Sequence, residues 1–294
     1  MPRFSNFLFS IALASSSFFS FAECMSLEDA NRLASLYPNK AALDLPPQKT
    51  LDEAYCSQAR YVQAIQEKWG EVEGKQVGYK IGFTGKAGQK KFDISHPAIG
   101  ILLDGMIEEN EATLSFDFGY RPMIEPDLLV FVKDEHIMQA DNLLDVAKSL
   151  TSIHAFIEMP TIQFRLGKVF TSRDLIALNV GATKMIMGEG VEVQATPAFL
   201  AKIAAAQTAF FDDSGKMIQS APLSNLMEHP FHAVLWLVEA LKAQGKTLKK
   251  GDYISLGAVG RLFPLFNETK TYTYRINGLS NAPIMSRVTV KASN

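Results

Sequence analysis

The sequence predicts an α/β protein in which a small helical part, residues 23–75, precedes a mixed, β-rich core, residues 76–294. Three observations lead to this fold class. Apolar residues recur at helical spacing from Leu51 to about Lys68, and Gly70 follows the pattern. Eight short apolar runs typical of strands come next. Only two helical patterns interrupt them, so strands dominate the core.

Residues 1–22 have the form of a secretory signal peptide. Arg3 supplies a positive start, residues 7–14 form an apolar core, and Ser20-Phe21-Ala22 is a small-x-small cleavage site. The apolar run is too short for a membrane anchor, which needs about 20 residues. We expect cleavage after Ala22 and a periplasmic or secreted protein that is free of the membrane.

The two cysteines, Cys24 and Cys56, both remain after this cleavage. In an oxidising compartment an isolated pair is more typical of a disulfide than of a metal site. The pair also lacks the spacing and partner histidines of a zinc site. We therefore predict a Cys24–Cys56 disulfide.

The composition is that of an ordinary globular protein, with 47% hydrophobic and 20% charged residues. The formal net charge is −2, and no block of like charge stands out. A nucleic-acid partner is therefore not expected, because such a protein needs a basic face.

The elements follow in order along the chain. A short helix over 26–36 begins at Ser26 as N-cap, and the second helix starts at Leu51. In the core, helices are predicted over 141–150 and 230–243, the latter with Pro230 in its first turn. The predicted strands are 76–83, 99–103, 123–133, 152–158, 184–187, 206–212, 252–257 and 270–277.

Glu125-Pro126-Asp127 opens the strand pattern 123–133. Side chains two apart on a strand share a face, so both carboxylates project together. A bound divalent cation would remove the cost of burying them, and paired oxygen ligands suit Mg²⁺ or Mn²⁺. The alternative is an edge strand that enters from solvent, which Pro126 would permit.

Lys80 lies between Gly78 and Gly82 on one face of the strand 76–83. Glycine weakens a strand, so this pattern indicates that another group approaches the backbone there. A lysine in such a bare groove could anchor an anion or move a proton; the alternative is a solvent-facing lysine. The spacing of the glycines fits neither a dinucleotide fingerprint nor a phosphate-binding loop.

Other polar residues are weaker candidates. Glu158 ends a second apolar strand and is either a third carboxylate for the same ion or a surface glutamate. His96 lies in a predicted loop that covers the site. His229 and His232 open the helix 230–243, and capping and packing explain them better than a zinc site does.

Taken together, these segments resemble the 2-keto-4-pentenoate hydratase and 4-oxalocrotonate decarboxylase group of the fumarylacetoacetate hydrolase superfamily. The resemblance runs from about Leu27 to Val290 and depends on the order and spacing of several motifs. The matching segments are Leu36-Tyr37-Pro38, Gly78-Tyr79-Lys80-Ile81-Gly82-Phe83-Thr84, Ile124-Glu125-Pro126-Asp127, the strand end at Glu158, Ile176-Ala177-Leu178-Asn179, His229-Pro230, Gly251-Asp252 and Gly257-Ala258.

The resemblance implies a core built as a rolled, mixed β-sheet sandwich, and a homo-oligomer. It also implies Mg²⁺ or Mn²⁺ held by Glu125, Asp127 and Glu158, with Lys80 as the group that stabilises or protonates an enolate. The same match assigns Asn179 and Gly257 to substrate binding. The implied activity is that of a lyase, a hydratase or a decarboxylase of aromatic catabolism, acting on a short 2-keto acid such as 2-hydroxypenta-2,4-dienoate through a metal-chelated enolate.

Asp127 replaces the more usual glutamate of this family, and three further residues depart from its pattern. Ala98 stands where hydratases commonly carry an acid, Leu178 replaces an aspartate, and Leu256 replaces a threonine. The loss of the acid at Ala98 favours decarboxylation, or a different acyl substrate, over the usual hydration. These departures also leave two alternatives: an exported, catalytically degenerate relative that binds a small carboxylate, and a hydrolase that cleaves a carbon–carbon bond of an acylpyruvate with His96 as the base.

Overall fold

Two curled β-sheets form the body of the protein in the computed structural model, which describes residues 23–38 and 41–293. The predicted signal peptide, residues 1–22, lies outside the described residues. The helices are α1 (Leu27–Ser35), α2 (Leu51–Glu73), α3 (Lys86–Lys91), α4 (Leu143–Lys148), α5 (Ser172–Ala177), α6 (Pro197–Ala205) and α7 (Pro230–Ala243). None of the helices in these described ranges is long and apolar enough to span a membrane.

The strands confirm the predicted strand-rich core. They are β1 (Gln76–Gly82), β2 (Ala98–Leu103), β3 (Ile107–Glu109), β4 (Thr113–Ser115), β5 (Met123–Val132), β6 (Leu150–Met159), β7 (Lys184–Glu192), β8 (Gln207–Asp212), β9 (Met217–Pro222), β10 (Tyr253–Ser255), β11 (Phe263–Pro264), β12 (Lys270–Asn277) and β13 (Ile284–Lys291).

The larger sheet has the order β2-β1-β10-β5-β6-β7-β3, with β11 pairing the start of β5. The smaller sheet has the order β4-β13-β12-β8-β9. Both are mixed, because β1–β10, β3–β7 and β13–β4 are parallel while the neighbouring pairs are antiparallel. The two sheets come together closely at Gly188 of β7, where a Cβ atom would lie 2.6 Å from the Cβ of Ser286. The predicted rolled, mixed sheet architecture is confirmed.

The N-terminal helices pack onto this body. Thr50 caps α2, as its side chain accepts a hydrogen bond from the backbone N–H of Glu53. The helix buries Tyr61 and Ile65 and packs against α1 and α5. The predicted helices at 26–36 and from Leu51 are therefore confirmed, although the division of the chain at residue 75 stays a prediction.

A disulfide joins Cys24 to Cys56, with the two Cα atoms 5.3 Å apart. Two backbone contacts lie beside it. The backbone N–H of Met25 donates to Ser57 Oγ at 2.8 Å, and its carbonyl accepts from the Arg60 guanidinium. The segment before α1 is thus attached to α2 at three adjacent points.

Strand β5 is central, so the alternative of an edge strand entering from solvent is wrong. It pairs with β6 on one side and with β10 and β11 on the other. Pro126 lies between the parts of β5 that pair with β10 and β11, where its carbonyl accepts a hydrogen bond from Val259. A backbone N–H at position 126 would point into the gap between β10 and β11. Proline therefore costs the sheet no ladder hydrogen bond here.

Strand β2 is the outer edge of the larger sheet, and side chains satisfy its outward backbone groups. The N–H of Ile99 donates to the Tyr55 hydroxyl, and its carbonyl accepts from Gln58. The N–H and the carbonyl of Ile101 both bond to the amide of Asn179. Helix α2 and the turn at residues 179–181 therefore close this edge.

Several elements are absent from the predicted set, namely the helices α3, α5 and α6 and the strands β3, β4, β9, β11 and β13. Most are short and carry too few residues for a periodic pattern. Strand β13 is the exception, because Ile284, Val288 and Val290 alternate with outward residues and give a readable period of two.

Candidate active site

Three carboxylates lie on one face of the central strands. Glu125 of β5 is directly opposite Glu158 of β6 in the antiparallel register, and Asp127 is two residues further along β5. Directly opposed side chains on an antiparallel pair have Cβ atoms about 4.5–5.5 Å apart. The predicted shared face of Glu125 and Asp127 therefore also includes Glu158.

Asp127 is fully buried and its carboxylate is hydrogen-bonded by the protein. Oδ1 accepts from the N–H of Gly257 at 2.8 Å and from the N–H of Leu128, and Oδ2 accepts from the hydroxyl of Ser255. Burial, followed by the negative charge of Glu158, raises the pKa of Asp127 to about 7, while the Ser255 bond opposes this rise.

Glu125 has no such support. Its side chain is half-buried, and within residues 23–38 and 41–293 no hydrogen bond or ion pair reaches its carboxylate. Burial raises the pKa of Glu125 well above its usual range. The charges of Glu158 and Asp127 add to this rise, and Lys80 opposes it. This carboxylate is the one most open to an external ligand.

Lys80 and Glu158 form a buried ion pair between Nζ and Oε1. The two side chains are only 3% and 1% exposed. The alternatives of a solvent-facing lysine and of a surface glutamate at a strand end are therefore wrong. The attraction between the two opposite charges offsets part of the desolvation cost of burying them.

The predicted bare groove around Lys80 is real, and its neighbours explain it. Lys80 is in register with Gly100 on β2, where a Cβ atom would lie 2.6 Å from Lys80 Cγ. The Nζ atom also donates to the carbonyl of Val180 at 3.2 Å. Gly100 and Val180 were not among the predicted site residues, and only Gly100 had a signal, as a glycine inside an apolar run.

Asn179 and Gly257, which were predicted to bind substrate, both make protein contacts, and their role in substrate binding stays a prediction. The Oδ1 and Nδ2 atoms of Asn179 bond to the backbone of Ile101 at 2.7 and 2.9 Å. The N–H of Gly257 donates to Asp127. Gly257 has φ 102°, a left-handed conformation that favours glycine, and a Cβ there would lie 2.6 Å from Thr84 Oγ1.

The smaller sheet covers the acidic face. Tyr274 of β12 is fully buried, and burial followed by the nearby charge of Asp127 raises its pKa well above the usual range. Tyr274 also packs edge-on against Phe210 of β8. Ser255 and Tyr274 were not predicted, because their approach to Asp127 depends on strand pairing and sheet packing rather than on a local motif.

The remaining predicted residues lie apart from these contacts. His96 is half-exposed and bonds through Nδ1 to the carbonyl of Pro97, and no hydrogen bond or ion pair in the described ranges links its ring to Lys80 or the carboxylates. Ala98, Leu178 and Leu256 are buried. Ala98 packs with Ile94 and Ile176 in an apolar cluster.

His229 and His232 behave as the capping interpretation predicts. His229 is the N-cap of α7, and its Nδ1 accepts from the N–H of Phe231 at 3.1 Å. Its Nε2 bonds to the carbonyl of Leu200, and His232 Nδ1 bonds to the carbonyl of Met227.

The donor set suits a hard divalent cation, because it consists of carboxylate oxygens. The Lys80 ammonium group is a nearby charge that disfavours a cation. In this arrangement, however, no three His, Cys, Asp or Glu side chains of the described chain are placed to hold an ion. Both oxygens of Asp127 are hydrogen-bonded, and Glu158 is paired with Lys80. An ion at Glu158 would therefore compete with the Lys80 ammonium.

A cavity of about 720 Å³ opens where β5 begins. Its lining includes Arg121, Met123 and Leu265. Met123 and Glu125 are two apart on one strand and share a face. Glu125 itself is not among the residues that line the cavity.

Comparison with known proteins gives consistent relatives. No model of a known protein family matches the chain. The TodF product hydratase of Pseudomonas putida is 25% identical over 244 residues, which cover 81% of this chain and 86% of that protein. The 2-keto-4-pentenoate hydratase of Paraburkholderia phymatum is 22% identical over 240 residues, covering 80% and 88%.

Among solved structures, the 4-oxalocrotonate decarboxylase from Pseudomonas putida G7, complexed with magnesium and adipate, has a TM-score of 0.74. The match covers 89% of this chain and 95% of the decarboxylase at 19% identity, and shows a common fold. The predicted resemblance to the hydratase and decarboxylase group is confirmed. The relatives also confirm the prediction that the chain is an enzyme of this type, and none of them supports a non-catalytic, exported protein.

Proposed function

We propose that the protein is a metal-dependent lyase that acts on a short 2-keto acid, such as 2-hydroxypenta-2,4-dienoate, in aromatic catabolism. The observation that carries the proposal is the strand face on which Lys80 pairs with Glu158, beside Glu125 and Asp127. These carboxylates hold Mg²⁺ or Mn²⁺ in the proposal. A bound cation supplies a Lewis acid that polarises a carbonyl group.

The protein's own groups then have distinct roles. No hydrogen bond from residues 23–38 or 41–293 reaches Glu125, so it is the first carboxylate available to the ion. Asp127 is oriented by Ser255 and Gly257 and supplies fixed negative charge. In the proposal, Lys80 holds or delivers a proton at the substrate carbon that gains electron density. The two sheets exclude water around Lys80, Asp127 and Glu158, which strengthens the electrostatic interactions of these three groups.

The surroundings of Ala98 favour decarboxylation over hydration. Water addition needs a group that activates or orients the water, whereas loss of CO₂ needs only a site that accepts the electrons left behind. Ala98 is packed among apolar side chains, including Ile94 and Ile176. Product analysis with a dienol acid and with an oxalocrotonate separates the two activities; faster hydration than decarboxylation would overturn this preference.

The direct test is calorimetry with Mg²⁺ and Mn²⁺ on the wild type and on Glu125→Gln, together with turnover assays. Glu125→Gln should abolish metal binding, because it removes charge without changing volume, whereas Lys80→Ala should bind metal but lack turnover. The matched control is Glu192→Gln, an exposed glutamate at the end of β7. Equal metal affinity in the wild type and Glu125→Gln would show that the carboxylates are structural.

Export also remains a proposal, supported by the charged start and short apolar core of residues 1–22. The mature protein would then begin at Glu23 and function in the periplasm or outside the cell. We also propose a homo-oligomer, as the resemblance to the hydratase and decarboxylase group implies. Intact-mass analysis of the protein from its native host should find Glu23 first, and a soluble protein that retains Met1 would exclude export.

A further inference from the structure

The turn that contacts Lys80 has an uncommon backbone. Asn179 and Val180 are consecutive residues with φ of 57° and 54°, within the short 3-10 turn Asn179–Gly181. The left-handed region is sparsely populated by non-glycine residues, and a β-branched residue such as valine is an outlier there. A strained conformation of this kind persists only where surrounding contacts fix it, and it often marks a functional site.

The side chain of Asn179 is the contact that fixes the turn. It is 1% exposed, its Oδ1 accepts from the N–H of Ile101 at 2.7 Å, and its Nδ2 donates to the carbonyl of Ile101 at 2.9 Å. Because β2 is an edge strand, the amide of Asn179 occupies the position of a neighbouring strand. The turn is thereby locked to the strand that lies beside β1 and Lys80.

The locked turn presents the Val180 carbonyl to Lys80 Nζ at 3.2 Å. Two glycines leave space for this arrangement. A Cβ atom at Gly82 would lie 2.5 Å from Val180 Cγ1, and one at Gly100 would lie 3.1 Å from the carbonyl oxygen of Asn179. The lysine stem and the turn are therefore packed into a gap that only glycine permits.

We propose that Asn179 is a positioning residue for Lys80 rather than a substrate ligand. Its two hydrogen bonds to the Ile101 backbone hold the Val180 carbonyl in place, and this carbonyl accepts a hydrogen bond from the Lys80 ammonium group. This contact matters most when a cation takes Glu158, because Lys80 then loses its ion-pair partner and the Val180 carbonyl remains. The effect of Asn179 on turnover rests on the proposed function, whereas its effect on the position of Lys80 does not.

Two variants perturb the turn from opposite sides. Asn179→Ala removes both bonds to Ile101, and Gly82→Ala pushes against the Val180 side chain. Each should displace Lys80 Nζ from the Val180 carbonyl in a crystal structure and lower kcat by about 10- to 100-fold, as expected for misplacement of a reacting group. The Kd of oxalate in the presence of Mg²⁺ should stay within about twofold, since the carboxylates are untouched. The control is Gly88→Ala, where a Cβ meets nothing within 4 Å.

The outcomes separate this inference from the proposed function. If Asn179→Ala raises KM and the Kd of oxalate while kcat is kept, Asn179 contacts substrate and the proposal fails. It also fails if both variants lose activity only in proportion to their folded fraction, or if Lys80 keeps its contact with Val180 in both crystal structures. If the wild type turns over no 2-keto acid, the proposed function is wrong. The positioning role of Asn179 is still tested, because the crystal structures show whether Lys80 keeps its contact with Val180.

Discussion

Glu125 and Asp127 are two residues apart on the same strand, yet the protein supports them differently. Asp127 accepts three hydrogen bonds, from Leu128, Ser255 and Gly257. Glu125 accepts none within the described residues, although burial raises the pKa of both groups. The sequence motif places both carboxylates on one face but does not distinguish a carboxylate fixed by the fold from one that is available to a ligand.

This difference predicts opposite effects on stability in the absence of metal. Asp127→Asn replaces an acceptor oxygen with a donor, so at least one buried donor loses its partner, and the free energy of unfolding should fall by about 1–3 kcal/mol. Glu125→Gln loses no hydrogen bond and removes repulsion from Glu158, so it should be as stable as the wild type or more stable. Urea denaturation with a chelator present measures both. A Glu125→Gln protein less stable than Asp127→Asn would contradict the assigned contacts.

At the scale of the elements, the sequence predicted most of the strands that build the site. Strands β1, β5 and β6 were found because their apolar residues and turn signals are local. The burial of Lys80 and Glu158 could not be found in this way, because their partners come from distant segments. Val180 is 100 residues from Lys80 in sequence, and Glu158 is 78 residues away. Only the register of the sheet and the turn at residues 179–181 bring them together.

The N-cap of α7 gives a prediction about pH. Burial lowers the pKa of His229 below its usual value, while its bond to the Leu200 carbonyl opposes this shift. As the pH falls, His229 therefore binds a proton at a higher pH in the unfolded chain than in the folded protein. Stability is fully present above the unfolded pKa of about 6.5 and is lost as the pH falls towards the folded pKa.

His229→Asn should weaken this pH dependence. Asparagine retains the N-cap bond to the Phe231 N–H, so α7 keeps its start, whereas alanine there would cost about 0.5–2 kcal/mol. Unfolding free energies measured from pH 7 to pH 5 should decline less steeply in His229→Asn than in the wild type. His136→Asn, at an exposed histidine, serves as the control. An unchanged slope in His229→Asn would show that other groups carry the pH dependence.

At the scale of the whole molecule, the candidate site depends on packing between parts that are far apart in sequence. The smaller sheet covers the acidic face through Tyr274, and α2 holds the edge strand β2 through Tyr55 and Gln58. Gln58 also donates to the carbonyl of Ile176, near the turn that contacts Lys80. Helix α2 therefore links the N-terminal segment to the lysine side of the site.

The Cys24–Cys56 disulfide is a constraint on this same helix. It closes a loop with a sequence separation of 32 residues, and the chain-entropy account gives such a crosslink about 3–4 kcal/mol. A Cys24→Ser, Cys56→Ser double variant should lose roughly that stability in urea denaturation under oxidising conditions. With a reductant present, wild type and variant should unfold alike, because both then lack the crosslink. Equal stability under oxidising conditions, or two reactive thiols in the oxidised wild type, would contradict the disulfide and with it the strongest attachment of the N-terminal segment to α2.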